Sequence, residues 1–200
     1  MIGAVPAPEP VFYLGAMSPY SWFAAERIGG LLAQARWQGL FAGAIFKANG
    51  RTSWGLTEDR DRGIAECERR AAAYGLGPIR WPDPWPTNDV SVARAMVHAD
   101  AQGLLEPYAL AAMRLAFLEG ADLGELDAVL EAAARAGLEP GAVGSAIASD
   151  EVKQQLREVT ADALEHGVFG VPTVVIGEEL YWGDDTLERA AEAYRVHSGL

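Results

Sequence analysis

Two serines near the start of the sequence form the first candidate for a chemical site. Ser18-Pro19-Tyr20-Ser21 follows a short apolar run, and a serine directly before a proline is typical of the N-cap of a helix. The unpaired N–H groups and the positive end of a helix N-terminus stabilise an anionic sulfur. The Ser18 hydroxyl could therefore donate a hydrogen bond to a thiolate that comes from outside the chain. Taken alone, the motif is more often only a cap.

A Val-Pro bond directly before another apolar run is the second feature that could do chemistry. It lies in the segment Gly167-Val168-Phe169-Gly170-Val171-Pro172-Thr173. A cis bond here would turn the N–H and C=O of Val171 toward a neighbouring cleft, where they could pair with the backbone of a bound peptide. An ordinary trans proline at the start of a strand is the alternative, and it is the more frequent case for any X-Pro bond.

The hydrophobic pattern predicts the strands and the helix around Ser18. Residues 11–15 form a short apolar run that predicts a buried strand, and a helix begins at the Ser-Pro pair. Residues 40–46 form another apolar run, which predicts a second buried strand ending at Lys47. A strand, a helix and a strand within about 35 residues predict a βαβ unit with parallel strands and a right-handed crossover.

The middle of the chain changes to alanine-rich segments with a helical period and many arginines and glutamates. The pattern predicts four helices, near residues 58–75, 88–102, 106–119 and 124–136. Residues 78–86 lie between the first two helices, and their four prolines exclude both a helix and a central strand. We predict an ordered loop there, with two tryptophans.

The end of the chain returns to a mixed pattern. It predicts a helix capped by Ser149 or Asp150, two strands and a last helix, over residues 151–166, 171–176, 180–182 and 185–197. The full order is β-α-β, four helices, α-β-β-α, and without the middle helices this is the thioredoxin core. The sequence therefore predicts an α/β protein with a thioredoxin-like fold (βαβ…αββα) and an inserted all-helical domain. Residues 10–50 and 150–200 would form the discontinuous thioredoxin-like domain, and residues 55–148 the inserted helical domain.

The cysteine count bears directly on the first motif. Thioredoxin-like proteins hold a Cys-x-x-Cys motif at the start of their first helix, and this chain has serine at both positions, Ser18 and Ser21. Disulfide exchange through the motif is therefore excluded. The single cysteine, Cys67, lies within a predicted helix between Glu66 and Glu68, whose charges would raise the pKa of the thiol. We expect a packing or surface role for it.

The composition excludes several classes of partner and site. The chain has 200 residues and a formal net charge of −12, which disfavours a nucleic-acid surface and an anionic membrane. His98, His166 and His197 lie far apart without metal-ligand spacing, so no metal is expected. The proline-rich N-terminus, which cannot form regular structure, lacks the pattern of a secretory signal, and a cytoplasmic location is expected.

From Val11 to about Tyr194 the chain resembles the family of 2-hydroxychromene-2-carboxylate isomerases and kappa-class glutathione transferases, relatives of the DsbA-type oxidoreductases. The resemblance rests on segments 18–21, 24–28, 46–48, 85–88, 151–153, 167–173 and 181–185. The chain departs from the family at residues 49–54, which read Asn-Gly-Arg-Thr-Ser-Trp where the family usually has Thr-Gly-Asn and a proline pair. Thr186 and Met17 depart from it as well.

The resemblance implies a bound thiol, which is glutathione or another low-molecular-weight thiol. Ser18 would activate the sulfur, and Val171, before a cis Pro172, would pair with the cysteinyl backbone. A four-residue turn would hold the γ-glutamyl end, namely Trp182, Gly183, Asp184 and Asp185. Either aspartate of this turn could instead only cap the last helix.

The same resemblance places Lys47, Asn49 and Trp85 at the second substrate. A cation such as Lys47 suits a carboxylate, although this lysine could also be only a solvated strand end. The second substrate would be a small electrophile, aromatic and carboxylate-bearing. We also expect a homodimer from the resemblance.

The resemblance implies a glutathione-dependent cis-trans isomerase of the 2-hydroxychromene-2-carboxylate type, acting in aromatic catabolism. In that mechanism a thiolate held by Ser18 adds to an activated double bond, a bond rotates, and elimination returns the thiol. A kappa-class-like glutathione transferase is the alternative on the same site. A non-catalytic thioredoxin-like module that binds an extended peptide is the alternative from a different class.

Overall fold

The computed structural model describes residues 8–199. The proline-rich start predicted without regular structure falls largely on residues 1–7, which lie outside the described part, as does residue 200. In the described part, four strands form one sheet in the order β2-β1-β3-β4. They are β1 (Val11–Leu14), β2 (Arg36–Gly39), β3 (Thr173–Ile176) and β4 (Glu179–Trp182). β1 pairs with β2 in parallel, and β3 pairs with β1 and β4 in antiparallel fashion.

The helix between the first two strands begins where the Ser-Pro pair predicts. α1 spans Pro19–Leu31, and the Ser18 side chain caps it by accepting a hydrogen bond from the backbone N–H of Ser21 at 3.2 Å. One face of α1 packs into the core, where Trp22 and Phe23 are fully buried. β1, α1 and β2 therefore form the predicted βαβ unit, and its geometry places Ser18 at the end of the central strand.

The second strand lies earlier in the chain than predicted. β2 is Arg36–Gly39, and the apolar residues 40–46 instead lead into a helix, α2 (Ala42–Ala48). A short apolar run fits a helix as well as a strand. Here the buried residues Ala42 and Ile45 are three positions apart, which is the period of a helix face. Lys47 consequently lies in the last turn of α2 and not at a strand end.

The middle of the chain is helical, as predicted, with one helix that the pattern did not predict. In order, the helices are α3 (Arg60–Ala73), α4 (Val90–Ala101), α5 (Leu105–Arg114), α6 (Leu126–Arg135), α7 (Pro140–Ala148) and α8 (Asp150–Glu165). A π-helical segment, Leu115–Glu119, extends α5. α7 escaped prediction because it is short and contains Gly141 and Gly144, which are poor helix formers. Ser149, rather than Asp150, caps α8.

The connections around these helices also follow the prediction. Residues 78–86 form a loop without helix or strand, and its Asp83–Pro84 and Trp85–Pro86 bonds are cis. After the β3–β4 hairpin, a short 3₁₀ turn (Asp184–Thr186) leads into α9 (Leu187–Ser198). The last helix therefore begins two residues later than predicted.

One buried cluster joins the sheet region to the inserted helices. Trp22 of α1 stacks on Phe117 at the end of α5, with ring centroids 5.6 Å apart, and both side chains are fully buried. The same cluster includes Phe12 of β1 and Met96 of α4. The predicted division at residues 50–55 and 148–150 stays a prediction, since this cluster contains residues from both sides of it. The middle helices and the sheet thus share one buried cluster.

Candidate active site

A cleft of about 760 Å³ lies beside the N-terminus of α1. The start of α1, α2 with the loop after it, the loop before α4, and the segment before β3 contribute to its walls. Five of the residues singled out from the sequence line it, namely Ser18, Lys47, Trp85, Val171 and Trp182. The other five, Asn49, Pro172, Gly183, Asp184 and Asp185, do not line it.

Ser18 lies at the entrance to α1 and is half-buried. Its oxygen accepts the capping hydrogen bond from Ser21, so the capping role is present. No acceptor for the Ser18 hydroxyl proton exists among residues 8–199, which leaves this proton available to a group in the cleft. The cap and the thiol-binding role are therefore compatible, because one uses the oxygen lone pair and the other the O–H bond.

Ser21 occupies the second position of the motif and has a different role. It is fully buried, and its hydroxyl oxygen accepts a hydrogen bond from the Gly15 N–H at 3.3 Å. This bond closes the turn between β1 and α1. Ser21 does not line the cleft, so the chemistry at the start of α1 depends on Ser18.

The Val171–Pro172 bond is cis, and Val171 lines the cleft opposite α1. Within the described chain, the backbone N–H and C=O of Val171 make no hydrogen bond, whereas the Pro172 carbonyl accepts one from Gly183 at 2.9 Å. Thr173 fixes the segment further, since its hydroxyl donates to the Gly170 carbonyl at 2.8 Å. Two unpaired backbone groups are thus held beside the cleft by a rigid frame.

The turn after β4 contains two aspartates in different environments. Asp184 is only 1% exposed, and its carboxylate accepts hydrogen bonds from Arg70 Nη1 and from the Tyr74 hydroxyl, each at 2.8 Å. Burial raises the pKa of Asp184, although the Tyr74 hydrogen bond and the Arg70 charge lower it. The Asp185 side chain is 59% exposed, and its carboxylate lies 3.5 Å from Arg70 Nη2. The glycine before them, Gly183, has a φ of +104°, which favours glycine.

Two cations stand along the α2 side of the cleft. Lys47 is exposed in the last turn of α2, and Arg51 follows in the loop. Arg51 Nη1 donates to the Phe169 carbonyl at 3.3 Å, and its guanidinium lies 5.0 Å from the centre of the Trp182 ring. Within residues 8–199, neither cation is in an ion pair. The one sequence signal for Arg51 is its place in residues 49–54, which depart from the family.

Asn49, which was assigned to the substrate, has a structural contact instead. Its side-chain amide donates to the Ile45 carbonyl at 2.9 Å and so ends α2. It does not line the cleft. Its predicted contact with a substrate stays a prediction.

Tryptophans form an aromatic wall in the cleft. Trp85 is buried, and its indole N–H donates to the Met17 carbonyl at 3.2 Å, which fixes the ring against the turn before α1. Trp54 lines the cleft beside it, with ring centroids 4.9 Å apart. Gly55 allows this packing, because a Cβ there would lie 2.6 Å from the Trp85 ring. Trp85 was predicted from the sequence as a site residue, and Trp54 was not.

Asp89 is a buried carboxylate in the cleft wall that sequence reasoning missed. The residue is 6% exposed, and its side chain makes no hydrogen bond or ion pair with another side chain in the described chain. Burial raises the pKa of Asp89 to about 6, and contact with its own backbone N–H offsets only part of the effect. The sequence does contain one signal for Asp89. Asn88 and Asp89 are adjacent capping-type residues at the start of α4, and because a helix needs only one capping side chain, the other is available for a different role.

The remaining candidates lie outside the cleft. Cys67 is fully buried in α3, in agreement with a packing role, and burial raises the pKa of its thiol to about 12. Residues 8–199 contain no group of three or more His, Cys, Asp or Glu side chains arranged to hold a metal ion. Within the same range, no helix is long and apolar enough to cross a membrane.

The fold and this cleft define the class of protein. The chain matches the DSBA-like thioredoxin domain over residues 11–195, and it belongs to that family. A 2-hydroxychromene-2-carboxylate isomerase from Pseudomonas putida is 27% identical over 186 residues, which cover 88% of this chain and 89% of the relative. The thioredoxin-like fold and the resemblance to these isomerases, both predicted from the sequence, are confirmed.

Solved structures agree with this assignment of the fold. A 2-hydroxychromene-2-carboxylate isomerase superposes with a TM-score of 0.78 at 22% identity, over 92% of this chain and 93% of that chain. A probable DsbA oxidoreductase from Streptomyces coelicolor superposes with a TM-score of 0.76 at 18% identity, over 95% of this chain and 89% of that chain. One fold therefore serves both named activities, and the residues at the start of α1 must be considered to separate them.

Proposed function

We propose that this protein is a glutathione-dependent isomerase that acts on a 2-hydroxychromene-2-carboxylate or a similar aromatic carboxylate. The observation that carries the proposal is that Ser18, with its hydroxyl proton unused, and Val171, with its backbone N–H and C=O unpaired in the described chain, line the same cleft. The chain has no cysteine at the start of α1, so it cannot form a disulfide there, and a reactive sulfur has to come with a ligand.

The thiol half of the cleft suits a cysteine-containing peptide. The N-terminus of α1 supplies a positive field, and Ser18 supplies a donor for the sulfur. The unpaired N–H and C=O of Val171 suit the backbone of the cysteinyl residue. Of the two acids in the turn after β4, Asp185 is the better partner for a ligand ammonium group, because Asp184 is buried and already bonded to Arg70 and Tyr74.

The other half of the cleft suits an aromatic carboxylate. Trp54 and Trp85 offer ring surfaces, and Lys47 and Arg51 offer positive charge without a partner in the described chain. The net charge of −12 would repel an anion from the protein as a whole. Local cations at the cleft are therefore needed to hold such a substrate.

The proposed mechanism divides the work between the ligand and the chain. When bound, glutathione would supply a nucleophilic sulfur that adds to an activated double bond and leaves again after rotation, so the thiol is not consumed. The chain would keep the sulfur ionised through the Ser18 hydroxyl and the α1 terminus. Lys47 and Arg51 would fix the carboxylate, and Trp54 and Trp85 would orient the ring.

The test is the ionisation of the bound thiol in Ser18→Ala and in a matched control. Ser53→Ala is the control, because Ser53 also lines the cleft and caps a short 3₁₀ helix, Trp54–Leu56, by accepting from the Gly55 N–H at 3.3 Å. Loss of one hydrogen bond to the thiolate should raise the pKa of bound glutathione by about one to two pH units in Ser18→Ala. The control should leave it unchanged. Calorimetry and the ultraviolet absorbance of the thiolate against pH measure both.

The same preparation separates the alternatives. Turnover of 2-hydroxychromene-2-carboxylate with a constant glutathione concentration supports the isomerase. Stoichiometric loss of glutathione into an adduct would indicate a transferase. No specific binding of glutathione would leave the non-catalytic peptide-binding module. An unchanged thiol pKa in Ser18→Ala would refute the role given to Ser18.

A further inference from the structure

Asp89 combines three properties that rarely occur together in a carboxylate. It lies in the wall of the cleft, it is 6% exposed, and no other side chain of the described residues bonds to it. Burial of an ionised carboxylate is unfavourable unless hydrogen bonds or opposite charges compensate for the lost water. Apart from the contact with its own backbone N–H, the described residues give the Asp89 carboxylate no such compensation, which points to a ligand that supplies it.

The position of Asp89 at the start of α4 does not explain its burial. α4 begins at Val90, and the backbone N–H of Val90 donates to the side-chain oxygen of Asn88 at 3.1 Å. The Asp89 side chain makes no capping hydrogen bond. Asn88 is exposed and accepts the hydrogen bond at the start of the helix, so the Asp89 carboxylate is not needed as a cap.

The surroundings of Asp89 restrict the chemistry of its partner. The rings of Trp54 and Trp85 line the same cleft, and Lys47 and Arg51 are the cations in its described wall. If a ligand places its carboxylate near those cations, the remainder of the molecule contacts the aromatic wall. A carboxylate such as Asp89 accepts hydrogen bonds, so the ligand group that meets it must be a donor.

We propose that Asp89 accepts a hydrogen bond from a hydroxyl group on the aromatic part of the electrophile and so selects hydroxylated aromatic carboxylates. The inference rests on the proposed function for the identity of the site, and it adds a specificity residue to it. Asp89 is here a positioning residue for the substrate. It has no part in holding the thiol.

The test compares ligands that differ only in the hydroxyl group. Cinnamate and its 2-, 3- and 4-hydroxy derivatives are titrated into the protein without any thiol, and quenching of tryptophan fluorescence reports binding next to Trp54 and Trp85. A hydrogen bond to a buried charged group should make at least one hydroxycinnamate bind about tenfold tighter than cinnamate. Asp89→Ala should abolish this preference and leave the affinity for cinnamate within about twofold.

A second variant keeps the test decisive if Asp89→Ala does not fold. Asp89→Asn preserves size and should reduce the preference to about threefold or less, because a neutral acceptor bonds more weakly than a charged one. The inference is overturned if no hydroxycinnamate binds tighter than cinnamate, or if the preference persists unchanged in both variants. Because the titrations contain no thiol, a failure here is distinct from a failure to bind glutathione, which would count against the proposed function.

Discussion

Two aspartates of this protein are almost completely buried, yet their carboxylates differ in their hydrogen-bond partners. Asp184 is 1% exposed and is bonded to Arg70 and Tyr74, whereas Asp89 is 6% exposed and has no side-chain partner in the described chain. Burial raises the pKa of both groups. Burial alone therefore does not mark a functional carboxylate, because the hydrogen-bond partners of the group decide its role.

The two environments also separate two parts of the molecule. Asp184 joins α1, α3 and the turn after β4, because Arg27 of α1 also donates to its backbone carbonyl at 3.0 Å. This network holds the turn after β4 against α1 and α3. Asp89 lies in the wall of the cleft, and no other side chain of residues 8–199 uses its carboxylate. The first aspartate therefore has a framework role, and the second does not.

Removal of Arg70 should cause the largest loss of stability, because it disrupts the contacts of Asp184. Arg70→Met leaves the Asp184 carboxylate buried without its charged partner, and we expect a loss of about 3 kcal/mol in the free energy of unfolding. Arg69→Met is the matched control, since the Arg69 side chain is 73% exposed and its one ion pair within residues 8–199 is with Glu66. The control should lose less than about 0.5 kcal/mol. Urea denaturation of both variants measures the difference, and equal losses would contradict the structural role of Asp184.

Neutralisation of Asp89 should raise the free energy of unfolding, whereas removal of Arg70 lowers it. Asp89→Asn removes an unpaired buried charge, and we expect a gain of about 2 kcal/mol in the free energy of unfolding at pH 8. The folded state raises the pKa of Asp89 from 3.8 to about 6, so the native protein binds this proton more tightly than the unfolded chain. Wild-type stability therefore rises as the pH falls from about 6 to 4, and the advantage of the variant disappears.

The control for this pH dependence is an aspartate in a similar position but in solvent. Asp59 also precedes a helix without capping it, and its side chain is 50% exposed beside Arg62. Asp59→Asn should change stability by less than about 0.5 kcal/mol at either pH. If Asp89→Asn is no more stable than wild type at pH 8, the carboxylate has a partner in solution and the contrast with Asp184 fails. A more stable variant that binds hydroxycinnamates less well would show that stability was given up for binding.

The fold was largely predictable because local chemistry determines most of its elements. The Ser18-Pro19 pair defines the start of α1 through its cap, and the prolines of residues 78–86 exclude regular structure whatever surrounds them. β2 was misplaced for the opposite reason. Arg36–Gly39 is a strand because it pairs with β1, and the ring of Trp37 packs on Phe12 at 5.0 Å, which no local pattern encodes.

The location of a site residue was predictable where the order of strands and helices determines it. The partners of a site residue were less predictable where they are distant in the sequence. Ser18 and Val171 reach one cleft because the thioredoxin-like order brings the end of β1 next to the start of β3. Asp184 meets Arg70 and Tyr74, which are 114 and 110 positions away in the sequence. The opposite environments of Asp184 and Asp89 are therefore visible only in the folded chain.

Asp185 offers the smallest effect on stability and the finest test of the comparison. Its carboxylate is 59% exposed and 3.5 Å from Arg70, so Asp185→Asn should change the free energy of unfolding by only a few tenths of a kcal/mol. If Asp185 holds the ammonium group of glutathione, the same change should weaken glutathione binding about tenfold, because a hydrogen-bonded charge is lost. Calorimetry at constant pH measures the affinity, with Glu188→Gln, an exposed acid on the next helix, as control. Unchanged affinity in Asp185→Asn would mean that Asp185 does not hold the ammonium group of glutathione.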